Sequence, residues 1–175
     1  KASERLPAAA LRWRPEHVRE ALAVRPDPPV SIEGRDASGR PLGSVALSMA
    51  RPEKGEAPRQ DANALGWILK AGRKMYDHGI GVQRTASLDF ALKGAWSRLT
   101  GKIAVDQDTY GNAKARFRVL GDGKPLFESE APPLESPPRS FDVSVAGVRV
   151  LTLAVEDFDG SKPNFGDWLD LALAR

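Results

Sequence analysis

Between Val105 and Lys114 the chain reads VDQDTYGNAK, with two aspartates two apart, then a tyrosine, a glycine and an asparagine. A calcium loop of the EF-hand type uses oxygens at positions 1, 3 and 5, glycine at 6 and a bidentate glutamate at 12. Asp106, Asp108 and Gly111 meet positions 1, 3 and 6, but Tyr110 stands at 5 and Phe117 at 12. The pattern fails where oxygens matter most. Only a calcium site assembled from backbone carbonyls and distant carboxylates stays open. The same residues suit sugar recognition, in which an aromatic face meets the C–H side of the ring while carboxylates and amides bond the hydroxyls. Tyr110 beside Asp108 and Asn112 is such a mixture, and DFDGSKPNFGDW repeats it with Asp159, Asn164 and Trp168. Trp168 reads equally well as the first core residue of a last strand. Trp67 and Trp96 read as core, because large aromatics are mostly well buried.

Catalytic chemistry finds less to work with. There is no cysteine, which removes disulfides, thiolate metal sites and cysteine nucleophiles together. The two histidines, His17 and His78, stand far apart, and no G-x-S-x-G elbow is present. Glycoside hydrolysis needs two carboxylates facing one another across a cleft. Asp106, Asp108, Asp157, Asp159, Asp167 and Asp170 are candidates, but most fall at strand ends and turns, where aspartate stabilises the turn itself. No enzyme is expected.

The composition agrees with a soluble globular chain: 175 residues, 41% apolar and 28% charged. Lys plus Arg exceeds Asp plus Glu by only three (26 − 23), and the basic residues are scattered. That argues against nucleic acid, which calls for a clustered basic face and a recognisable motif. No apolar run approaches the length of a membrane span. The chain opens at Lys1 without a leader, as expected if a leader has been removed or if the boundary lies inside a longer protein.

The elements that must position these residues are mostly strands. Residues 1–29 form an extension in which RPEHVREALAV predicts a short helix, stopped by RPDPPV. From Val30 to the end the period shifts to two. VSIEGRDASGRPLGSVALSM predicts a hairpin, RPEKGEAPRQDAN a loop, and HGIGV the entry to a strand whose glycines serve close approach or special backbone angles. SLDFAL, WSRLTGKIAVD, KARFRVL, KPLFES, FDVSV, VRVLTLAVED and WLDLALA predict further strands, with Asp122-Gly123 as a tight hairpin turn. Short alternating strands separated by turns predict an all-β domain over 30–175, a β-sandwich.

Four blocks in order then carry a resemblance: the run from ALGWILKAGRKMYDHGIGVQ to GKIAVDQD, then FRVLGDGKPLFES, GVRVLTLAVED and GDWLDLAL. Over 65–174 the chain resembles the NPCBM family of carbohydrate-binding modules. The resemblance implies a galactose-binding-domain-like jelly-roll sandwich and a glycan partner of galactose type. It also implies an extracytoplasmic or secreted bacterial location, a neighbouring enzyme domain, a structural calcium ion and no catalysis. The site residues to test are Asp108, Tyr110, Asn112, Asp159, Asn164 and Trp168. Gln83 stands where many members carry histidine, which favours an alternative: a structural or protein-interaction sandwich without a sugar site.

Overall fold

The computed structural model describes residues 27–53, 57–109, 114–157 and 164–175. The helix expected in RPEHVREALAV lies outside the described residues. Those described are all strand, turn and loop.

Thirteen strands are described: β1 (Ser31–Arg35), β2 (Pro41–Pro52), β3 (Arg59–Gln60), β4 (Leu69–Ala71), β5 (Lys74–Tyr76), β6 (Gly79–Gln83) and β7 (Ala86–Ala91), then β8 (Arg98–Val105), β9 (Ala115–Gly121), β10 (Lys124–Glu130), β11 (Arg139–Ser144), β12 (Val150–Asp157) and β13 (Phe165–Ala174). The hairpin of β1 and β2 turns through Asp36, whose carboxylate accepts backbone N–H bonds from Ser38 and Arg40. The β9–β10 turn has positive φ at both Asp122 (50°) and Gly123 (78°), as a two-residue turn of this hand requires.

One group of strands runs β10-β9-β12-β7-β2 and is antiparallel throughout. The other gathers about β13, with β8 and then β11 on one side and β6, β3 and β1 as further neighbours. β2 belongs to both: Ala46 and the residues before it pair with β1, while Leu47 and those after it pair with β7. The changeover coincides with a register shift at Ser48, whose hydroxyl donates to the Asp89 carbonyl. A bulge of this kind lets a strand bend from one layer to the next.

Alternation explains the core. β9 buries Phe117 and Val119, and β12 buries Leu151, Leu153 and Val155. Opposite them stand Ile103 of β8, Phe141 of β11 and Trp168 of β13. The Trp168 ring meets Phe117 edge-on at 5.0 Å and Phe141 at 5.9 Å, so the two groups of strands share one apolar interior. β13 departs from alternation, with Phe165 to Leu169 buried without a break. The small β4–β5 hairpin is the reason: Leu69 and Ala71 cover the outer face of β13 at Leu169, together with Ala104.

Candidate functional site

The turn after β8 is built on Asp106. Its Oδ1 accepts the backbone N–H of Asp108 at 2.8 Å and the amide of Asn63 at 3.2 Å, and its Oδ2 accepts the N–H of Lys70 at 3.0 Å. Three donors on one fully buried carboxylate fix the turn to β4 and to the loop before it. Asp108 follows two residues on and shares the Asn63 amide with it. It accepts Asn63 Nδ2 at 3.2 Å and forms an ion pair with Lys70 Nζ at 3.3 Å, with both side chains partly exposed.

Asn63 joins these groups to a second surface feature. Its buried side chain donates to both aspartates, while its Oδ1 accepts the N–H groups of Leu65 and Trp67, each at 3.0 Å. The Asn63 N–H donates to the Trp67 carbonyl at 2.8 Å. Gly66 completes the turn with φ of 83°, a conformation that favours glycine. The result holds Trp67 in the open, 56% exposed. This corrects the expectation of a core residue: Trp67 sits on a turn with no layer above it, whereas Trp96 is buried.

The predicted site residues separate into three groups. Asp108 stands at the rim of the cluster just described. Trp168 is wholly buried between Phe117 and Phe141, so its ring has no face left for a ligand. Asn164 is buried as well. Its side-chain amide donates to Asp157 Oδ1 at 2.6 Å and its backbone carbonyl accepts the N–H of Arg84, which makes it a tie between strand ends. Tyr110, Asn112 and Asp159 lie outside the described residues. Sequence reading missed Trp67, Lys70 and Asn63. A glycine-containing turn directly before a tryptophan was the available signal.

One further carboxyl stands next to this cluster. Asp167 is fully buried, and neither of its oxygens meets a hydrogen-bond donor. Burial pushes its carboxyl well above the ordinary range, and the negative charge of Asp106 beside it pushes it further. Two such carboxyls can lie together when one carries a proton. Among the described residues, no group of three or more acidic or histidine side chains closes round one point. Nor do Asp106 and Asp167 suit hydrolysis, since both are sealed from solvent. Of the other aspartates, Asp170 is bound by Lys102 at 2.6 Å and Asp157 by Asn164.

A groove of about 720 Å³ opens elsewhere, between the end of β10 and the start of β11. Ala131, Pro133, Leu134 and Arg139 are among its walls, and among the described residues no aromatic one lines it.

Comparison with known proteins gives this geometry a context. The model of the NPCBM/NEW2 domain matches residues 42–174. The CBM51 module of a Clostridium perfringens GH95 protein, solved in complex with methyl-galactose, is 25% identical. The match covers 74% of this chain and 94% of that one, with a TM-score of 0.63. A Clostridium perfringens ZmpB structure, comprising an M60 catalytic domain with two CBM51 domains, is 22% identical and likewise has a TM-score of 0.63. It matches over 74% of this chain and 14% of its own. A Renibacterium salmoninarum protein described as an endo-alpha-N-acetylgalactosaminidase is 26% identical over 128 residues, 73% of this chain. The present chain spans only 8% of that relative's length.

Proposed function

The chain belongs to the NPCBM/NEW2 domain family, and from that premise we propose that it is a carbohydrate-binding module with no catalysis of its own. The observation that carries the proposal is the Asp108–Lys70 ion pair, held at the surface by buried Asn63, which also fixes the turn bearing the exposed Trp67. A carboxylate and an ammonium side by side offer an acceptor and donors to neighbouring sugar hydroxyls. The family match and the likeness to a methyl-galactose complex support a glycan of galactose type. Tyr110, Asn112 and Asp159 enter the proposal on their sequence positions alone.

The finer fold assignment is a jelly-roll sandwich of the galactose-binding-domain type, supported by the β2 changeover and the shared core. We further propose that the module works outside the cytoplasm, joined to a glycan-processing enzyme. The catalytic domain that accompanies such modules in the ZmpB structure supports that arrangement.

A glycan array followed by titration calorimetry tests the proposal. The expected result is binding to galacto-configured glycans, weakened about tenfold by Asp108→Ala, as for the loss of one charge-assisted hydrogen bond. A correctly folded protein that binds no neutral glycan would overturn it in favour of a protein-interaction domain.

A further inference from the structure

Seven large apolar side chains are exposed among the described residues, and four of them fall between Leu65 and Met75. Leu65 is 39% exposed, Trp67 56%, Ile68 42% and Met75 67%. Single exposed apolar residues are ordinary, but a contiguous set marks a binding surface. Contiguity follows from the hairpin. Leu69 and Ala71 point inward, so Lys70 between them faces outward, and exposed Ile68 stands immediately before the strand. Met75 lies directly opposite Lys70 in the ladder. Ile68 and Met75 therefore lie beside Lys70 of the Lys70–Asp108 pair, with Trp67 next along the chain.

We infer that this surface takes an oligosaccharide of at least two sugar residues, with Trp67 as the stacking platform and Ile68 and Met75 as the seat of the second ring. The inference rests on the glycan-binding reading above. Ile68 to Lys70 covers about 7 Å along the strand, and Lys70 to Met75 about 5 Å across it. With Trp67 beyond Ile68, the surface is longer than one pyranose. Its occupant must combine hydroxyls for the central ion pair with apolar C–H faces for the surround, and a glycan chain does both. The platform is also fixed in advance. Both backbone polar groups of Trp67 are bonded to Asn63, so little ordering remains to oppose binding.

The test is calorimetry with methyl-galactoside and a galacto-configured trisaccharide on the whole chain. Wild type should bind the trisaccharide at least about tenfold more tightly than the monosaccharide, and Trp67→Ala should weaken both by about tenfold, a typical aromatic contribution. Trp67→Phe should restore much of the loss. Met75→Lys and Ile68→Ser should weaken only the trisaccharide. All four changes are at exposed positions, and melting temperatures within a few degrees of wild type will confirm folding. Equal affinity of wild type for the two sugars overturns the inference. So does an unchanged Trp67→Ala, and loss of self-association in that variant with sugar binding intact would identify the patch as a protein interface. Binding of neither probe by folded wild type overturns the inference and the glycan-binding reading together.

Discussion

Asp167 owes its state to two conditions: no donor reaches it, and Asp106 beside it already holds three. Burial and the charge of Asp106 beside it favour the protonated form of this carboxyl. Its folded-state pKa is raised, so its stabilising effect is complete below the unfolded value and is lost as pH rises through the folded one. Asp167→Asn supplies an N–H donor of similar shape that never ionises. The expected outcome is a higher melting temperature than wild type at pH 8, with the gain shrinking as pH falls towards 4. A variant that melts lower at every pH, with a wild type sensitive to chelator, would point to a cation in that place. At this scale the sequence is only half legible. The turn chemistry of Asp106 and Asp108 follows from residue type, but the burial of Trp168 and exposure of Trp67 do not. Each depends on whether a distant element covers the position, and the β4–β5 hairpin covers β13 but leaves Trp67 open.

Strands long enough to alternate were legible as elements. β9, β12 and the β9–β10 turn follow the period of two and the Asp122-Gly123 pair. The β4–β5 hairpin was not, because three residues on each side show no period, and β3 is shorter still. The glycines of HGIGV did announce a close approach. A Cβ added at Gly81 would lie 2.4 Å from the Ala62 carbonyl and 2.5 Å from the Asn63 Cα, and one at Gly79 would lie 2.6 Å from the Trp168 carbonyl. Strand β6 thus sets the position of the turn that holds Trp67. Gly81→Ala should cost about 1–3 kcal/mol, the usual penalty for overpacking. It should also weaken glycan binding more than an equally destabilising core change such as Val119→Ala. Equal effects on binding would show that the turn is not placed from below.

Across the whole molecule, strand order was the least legible property, because pairing joins residues far apart in sequence. Alternation predicts how many faces are apolar, not that β1 will lie beside β13. Those two strands run parallel, with Glu33 opposite Ala172 and Arg35 opposite Ala174. The same pairing has a mechanical consequence. Tension that enters before Ser31 and leaves after Ala174 pulls the two strands past each other along their length, so their hydrogen bonds bear the load together. A tether moved from the carboxyl end to the Asp122–Gly123 turn would instead load the sheet at its β10 edge, where bonds can open one after another. Single-molecule pulling should find a clearly higher rupture force in the first geometry, and equal forces would refute the argument. Any load passed through this fold from one end to the other is therefore carried by a clamp in shear.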